Sequence, residues 1–475
     1  MIADNEIVIS TKDLHWLSND QAWHYRILPF EKNGDLLTVY CEDPPSDVLA
    51  AELEIVFGYS VKLIALPGDQ ITRLLSTYYR KEQTGNSQPA VHFSASDDFL
   101  VNMITDAKNL KSSDIHIESY DPKCRVRIRV DGMMIERYIL KKEDYPALVN
   151  KIKILSGLDI AEKRLPQDGR INFKQNGGQF DIRVSVLPTL FGEKIVLRLL
   201  NNNATDIDLY KLGFSENDLD NYLHSLKKTN GMLLISGPTG SGKTTSLYAT
   251  LKLLNKQTRN ILTIEDPVEY TLEGINQVQL KESIGLTFGA ALRTFLRQDP
   301  DIIMVGEVRD PDTANMAVRA ALTGHLVLST IHTNSAWGIV SRLVDMGIPP
   351  FLLANTLNAA VAQRLLRLLC PRCKKEQDFS NDLYPRNFKP AVQISKHFLA
   401  AGCEHCHYTG YKGRKAVYEV IPVDYDLAVE IRNSNMQVHE ILKEKGIQTI
   451  SENAFDLFAS GQTSIEEIYP LLLNY

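Results

Sequence analysis

Gly237-Pro238-Thr239-Gly240-Ser241-Gly242-Lys243-Thr244-Thr245 follows the short apolar run Met232-Leu233-Leu234-Ile235-Ser236. Leu247, Leu251 and Leu254 then recur at helical spacing. A strand, a glycine-rich turn and a helix in that order are the setting of a phosphate-binding loop. Gly237, Gly240 and Gly242 open backbone angles closed to other residues, so successive N–H groups can converge on an anion. The helix starting near Lys243 adds the positive end of its dipole. Lys243 is placed to reach the β- and γ-phosphates of a nucleoside triphosphate, and the Thr244 hydroxyl to hold Mg²⁺. The loop points to a triphosphate and leaves open what its energy drives.

The 475 residues suffice for more than one core, roughly three domains at about 150 residues each. A net charge of −6 supplies no global attraction to nucleic acid or anionic lipid. No apolar run reaches the roughly 20 residues that cross a bilayer. The acidic start Met1-Ile2-Ala3-Asp4-Asn5-Glu6 does not read as a signal peptide. The expectation is a cytoplasmic protein with reduced thiols.

Residues 1–82 read as a small α/β docking domain. Leu36–Cys41 and Val61–Ile64 are strand-like, and Asp43-Pro44-Pro45-Ser46 precedes a helical pattern of Leu49, Leu53, Val56 and Phe57. Ile71, Leu74, Leu75 and Tyr78 repeat that spacing. Residues 83–95 are polar and read as a linker. Ser96 is placed to cap a helix with Leu100, Met103, Ile104, Ala107 and Leu110 on one face.

From Arg125 the period becomes two. Val126, Ile128 and Val130 alternate with Arg125, Arg127 and Arg129, and Asp131-Gly132 marks a hairpin turn. A second hairpin runs from Ile171 through Asn176-Gly177-Gly178 into Phe180, Ile182, Val184 and Val186. Residues 96–201 therefore form a sheet-rich α+β domain with an arginine-bearing face, either functional or merely solvated. Residues 202–226 suit an inter-domain connection.

Beyond the loop, apolar strands alternate with helices in the α/β pattern. Ile261–Ile264 leads into Glu265-Asp266-Pro267-Val268-Glu269. Ile302–Val305 leads into Gly306-Glu307, and Leu326–Thr330 leads into Ile331-His332-Thr333-Asn334. These polar groups fall at the carboxyl edge of the sheet, where open α/β sheets bind ligands. Glu307 can hold the Mg²⁺ shell or orient the attacking water, and Glu265 and Glu269 compete for the second task. His332 is a candidate γ-phosphate sensor, and His325 reads as structural.

These stretches, with Arg297-Gln298-Asp299-Pro300-Asp301 before Ile302 and Thr323-Gly324-His325 before Leu326, resemble the secretion ATPases of type II secretion and type IV pilus assembly. The likeness runs from Ser113-Asp114-Ile115-His116-Ile117-Glu118 to the C-terminus. It implies a RecA-like ATPase domain at 227–475, preceded by a PAS-like domain at 96–201. It also implies a cytoplasmic homo-hexamer that hydrolyses ATP between two domains of each subunit and docks peripherally at the inner membrane. The partners would be a membrane platform protein and a docking protein, with no insertion into the bilayer. Mg-ATP would sit on Lys243 and Thr244, Glu307 would organise Mg²⁺, and Glu269 is favoured as general base. Arg183 and Arg198 match arginines that reach the phosphates, where guanidinium forks neutralise the transferred group. Asp312 stands where the family usually has a glutamate. The glycine- and leucine-rich repeats of members that bind a cyclic dinucleotide are not seen in the N-terminal region.

Cys370-Pro371-Arg372-Cys373 and Cys403-Glu404-His405-Cys406 form two C-x-x-C pairs. Four thiolates suit a closed, structural Zn²⁺ site within residues 366–415. In the family such an element accompanies assembly and secretion motors, which favours extension over retraction. Cys41 and Cys124 read as packing residues. Arg364, Arg367, Arg372, Lys374 and Lys375 form a basic cluster, a candidate face for a membrane or acidic partner or else a solvated one. Residues 424–475 read as helical, with a capping box at Thr463-Ser464-Ile465-Glu466. The competing readings are a nucleic-acid-stimulated motor and a scaffold that binds ATP without turnover.

Overall fold

The computed structural model describes residues 17, 19–34, 36–42, 47–68, 70–71, 74–75, 98–121, 123–175, 178–200, 207–385, 388–390 and 392–473. The expected cap at Ser96, linker 83–95, Asp43–Ser46 breaker and Asn176-Gly177 turn lie outside them. The chain divides into two compact units, residues 1–92 with 138–141, and the remainder.

In the first unit, β1 (Ile27–Asn33), β2 (Leu36–Glu42) and β3 (Ser60–Leu66) form one sheet. β1 pairs antiparallel and β3 parallel to the central β2. The helix Asp47–Phe57 makes the crossover, and Leu37, Val39, Leu53, Ile71 and Leu75 are buried together.

The second unit opens with the helix Asp98–Asn109 and a six-stranded sheet. Its strands are β4 (Asp114–Ser119), β5 (Cys124–Val130), β6 (Met133–Leu140), β7 (Gln167–Gln175), β8 (Gly178–Thr189) and β9 (Gly192–Leu199), in spatial order 6-5-4-9-8-7. The hairpin at Asp131-Gly132 has positive φ at both residues, 48° and 86°, as a two-residue turn requires. Ile115, Ile117, Val126, Ile128, Ile182, Val184, Ile195 and Leu197 are buried. The opposite face carries charge. Arg125, Arg127 and Lys194 all reach the carboxylate of Glu118.

A seven-stranded sheet follows, in the order 12-11-13-14-10-15-18. It comprises β10 (Gly231–Ser236), β11 (Ile261–Glu265), β12 (Asn276–Gln279), β13 (Ile302–Val305), β14 (Leu326–Ile331), β15 (Leu357–Leu369) and β18 (Tyr411–Pro422). Only β18 runs antiparallel to its neighbour. The short pair β16 (Lys375–Asp378) and β17 (Lys396–Leu399) lies between β15 and β18 in sequence. All six residues of β10 are buried. Met232 and Leu234 pack with the helices after Thr287, whereas Leu233 and Ile235 pack with Leu247, Tyr248 and Leu251. Both faces are therefore covered, which is why β10 reads as a continuous apolar run.

The C-terminal capping box is not at Thr463. The last helix is Ile465–Leu472, and its N-cap Ser464 makes no side-chain cap bond. Thr463 Oγ1 instead donates to Arg367 O at 2.8 Å, and Ser464 Oγ lies 2.7 Å from Tyr411 Oη. Tertiary partners outcompete the local cap. A capping box does form at Thr449 and Glu452, opening the helix Ile450–Ala459.

Candidate functional site

β10 ends at Ser236, and the phosphate loop carries the chain into the helix Lys243–Leu254. Gly242 caps this helix at φ 88°, in the left-handed region that favours glycine. At Gly237 a Cβ would lie 2.4 Å from Gln363 O, so the loop passes too close to β15 for any side chain. Lys243 Nζ spans the loop, donating to Gly237 O at 2.7 Å and Pro238 O at 3.1 Å. Burial holds its ammonium below the ordinary lysine range; Glu307 opposes that shift and Arg364 adds to it.

A cavity of 660 Å³ opens on this loop. Thr239 to Thr245, Arg198, Glu265, Glu269, Glu307 and His332 all line it. Residues from both the antiparallel sheet and the parallel sheet thus share one space. Ser241 Oγ is buried there without a protein hydrogen-bond partner, as a donor awaiting an anion would be. Arg183 Nε is also buried and unpartnered, but Arg183 is not among the residues that line the cavity.

The three glutamates differ in their surroundings. Glu265 is 3% exposed and accepts from Thr263 Oγ1 at 2.6 Å, Gln277 Nε2 at 3.1 Å and the Tyr248 hydroxyl. Tyr248 Oη in turn accepts from the Glu269 N–H at 3.3 Å. The Glu269 carboxylate is open, with 37% of its side chain exposed, and lies 3.5 Å from Arg183 Nη2. That nitrogen also donates to Val268 O at 3.0 Å. Glu307 is bound by Arg309 and has His332 Nε2 at 3.6 Å. Gly306 precedes it because β11 and β13 are close here: a Cβ would sit 3.3 Å from Ile264 O. Arg198 Nε donates to Asp114 Oδ1 at 2.9 Å. His325 Nδ1 lies 2.8 Å from Ala320 O, near the end of the preceding helix Pro311–Leu322, a structural contact. Asp312 pairs with Arg293 at 2.9 Å.

Sequence reasoning missed Arg309 and Arg364. Arg309 was legible as the cation two residues beyond Glu307. In the sequence Arg364 reads as part of a local basic cluster, which the structure disperses. Arg364 binds Asn334 O, Arg367 pairs with Glu467, and Lys374 donates to Gly461 O.

The four cysteine sulfurs of the two C-x-x-C pairs lie within 4.8 Å of one another. Separations of 3.9, 3.7 and 3.8 Å for Cys370–Cys403, Cys373–Cys406 and Cys403–Cys406 exclude disulfides. Zn–S bonds of ~2.3 Å in a tetrahedron put sulfurs about 3.8 Å apart. The donor set fits zinc. The Cys403 and Gly410 N–H groups donate to Cys406 Sγ at 3.2 and 3.3 Å, as they would to a thiolate.

Residues 92–470 match the model of the type II/IV secretion system protein family. The chain belongs to that family. Residues 1–85 match the MshEN domain. The type IV pilus assembly ATPase PilB of Myxococcus xanthus is 42% identical over 94% of this chain and 84% of its own. The type II secretion system ATPase E of Vibrio cholerae is 38% identical over 93% of each chain. Among solved structures, the Legionella pneumophila ATPase DotB superposes with a TM-score of 0.62 at 21% identity, covering 81% of this chain and 97% of its own. The pilus retraction motor PilT with bound ADP gives 0.53 at 25%, covering 78% and 96%. The enzyme class implied by the resemblance, ATP hydrolase, is the one that the Myxococcus xanthus, Vibrio cholerae and Legionella pneumophila proteins carry in their names. They leave the nucleic-acid motor without support. No described helix is long and apolar enough to cross a membrane.

Proposed function

We propose that this family member is an ATP-hydrolysing motor that works as a homo-hexamer and drives extension of a type II secretion pseudopilus or a type IV pilus. The observation that carries the reading is the single cavity lined by the phosphate loop and by Arg198 of the antiparallel sheet. One triphosphate can bridge the two domains there. Its phosphates lie on the loop N–H groups, and Lys243 exchanges the loop carbonyls for phosphate oxygens. Thr244 and Glu307 would hold Mg²⁺, which neutralises charge on those oxygens. Glu269 accepts the proton of the attacking water. Arg183 and Arg198 close on the transferred phosphoryl group, and His332 responds to it beside Glu307. Glu265, already engaged by three donors, holds Tyr248 and through it the backbone of Glu269.

The working architecture keeps residues 1–82 as docking domain, 96–201 as a PAS-like domain and 227–475 as a RecA-like domain stabilised by zinc on the four cysteines. The docking domain meets a partner of the membrane machine, and the ring sits peripherally at the inner membrane against its platform protein. In Arg183→Ala, ATP hydrolysis falls by about 100-fold or more while ATP binding persists. Unchanged hydrolysis and domain closure in that variant would remove Arg183 from the mechanism.

A further inference from the structure

After His332 the chain turns through Thr333-Asn334-Ser335-Ala336 before the helix Gly338–Asp345. Two side chains from neighbouring strands grip this turn. Arg364 Nη2 donates to Asn334 O at 2.9 Å, and its Nη1 to Gln363 O at 3.0 Å. Glu419 Oε1 accepts the Ala336 N–H at 3.1 Å. Glu419 is 4% exposed, and its second oxygen accepts the Ile450 N–H at 3.0 Å. Ile450 is the first residue of the helix Ile450–Ala459. One buried carboxyl group therefore joins the turn after His332 to the start of a C-terminal helix.

A second buried path runs beside it. Ser246 Oγ, on the phosphate-loop helix, donates to Gln363 Oε1 at 2.9 Å and lies 3.2 Å from Tyr418 Oη. Tyr418 O accepts from Asn453 Nδ2 of the same C-terminal helix at 2.8 Å. Gln363 faces Tyr418, and Ala362 faces Glu419, across the β15–β18 ladder. Both paths cross at one place in the sheet.

Neither oxygen of Glu419 can leave its donor without stranding a buried polar atom. The turn and the helix start are thus constrained to move together, and the helix N-terminus favours a carboxyl group at that point. We infer that Glu419 is a positioning residue that couples the turn after His332 to the helix Ile450–Ala459, so that nucleotide at the phosphate loop is felt at the C-terminal helices. The inference rests on the phosphate loop being the nucleotide site. Glu419 contacts no reacting atom.

Ile450→Pro deletes the N–H that Glu419 accepts, and proline is at home in the first position of a helix. Thr449, at φ −71° and ψ 161°, already has the extended backbone that must precede proline. Ile450→Ala retains the N–H and controls for lost packing. Hydrogen–deuterium exchange of residues 448–459 is measured on the full chain with and without a non-hydrolysable ATP analogue, beside analogue binding and steady-state hydrolysis. In wild type and I450A the analogue slows exchange. In I450P and Glu419→Gln that nucleotide-dependent difference is lost and kcat falls about tenfold with KM unchanged. If Glu419→Gln does not fold, the I450P and I450A pair decides. A difference that persists in I450P overturns the coupling, as does a wild type that binds the analogue without any change at 448–459. A wild type that binds no analogue overturns the functional reading and the coupling with it.

Discussion

Glu265 and Glu269 are of the same residue type, four positions apart, yet their surroundings assign them different work. Three donors occupy all but about one of the roughly four lone-pair sites of the Glu265 carboxylate, which is 3% exposed. Glu269 is open and beside Arg183. Glu269→Gln is expected to lower kcat by at least about 100-fold with ATP binding kept. Glu265→Gln is expected to lower the melting temperature as well as kcat, because it disturbs a buried network. Steady-state kinetics with thermal melts of both variants check this. The two positions changing places would reverse the assignment. The phosphate loop and the strand-end glutamates were legible because their chemistry is written in contiguous residues. Gln363 and Glu419 were not, since their meaning lies in partners distant in the chain: Ser246 is 117 positions from Gln363, and Ala336 is 83 from Glu419.

Among the elements, the arginine face of the antiparallel sheet shows what period alone can convey. Alternation identified the face, but only register shows that it splits. Arg125, Arg127 and Lys194 share the Glu118 carboxylate, while Arg198 lines the phosphate-loop cavity. Burial pushes the Glu118 carboxyl up, but hydrogen bonds from Arg127, Lys194 and Arg125 overcome it and hold the pKa at about 2, against 4.5 ordinarily. A folded-state pKa below the unfolded one stabilises the protein above the unfolded value and is lost as pH falls through the folded value. The separation is worth about 3 kcal/mol at neutral pH. Stability should therefore decline between about pH 5 and 2, and Glu118→Gln should flatten that decline while lowering stability at pH 7. Urea titrations across this range measure it, and an unchanged slope in the variant counts against the assignment. The cysteine pairs were legible by spacing, and the 3.7–3.9 Å separations add the geometry. Metal analysis of the purified protein should find about one zinc per chain, with chelation loosening residues 366–415 first. A content well below that argues against a structural zinc. The C-terminal cap was misplaced for a reason of this scale: Thr463 is claimed by Arg367 O of another element, a contact absent from local sequence.

For the whole molecule, the order of strands decides where chemistry can occur. β10 lies between β14 and β15, and the polar ends of β11, β13 and β14 border the same cavity. Alternating apolar runs made the α/β class legible, but not this order, which depends on crossovers that no periodicity records. Arg198 comes from the antiparallel sheet, Lys243 from the phosphate loop, and both line one space. On the proposed reading, hydrolysis should respond to anything that fixes the two sheets around the phosphate loop, and a ring of subunits is one such constraint. The most direct test of the motor reading is Mg-ATP hydrolysis per chain over a wide range of protein concentration, with the assembly mass measured in the same samples. The account predicts a specific activity that rises steeply as a six-chain species forms. A constant specific activity from a chain that stays monomeric throughout would contradict it.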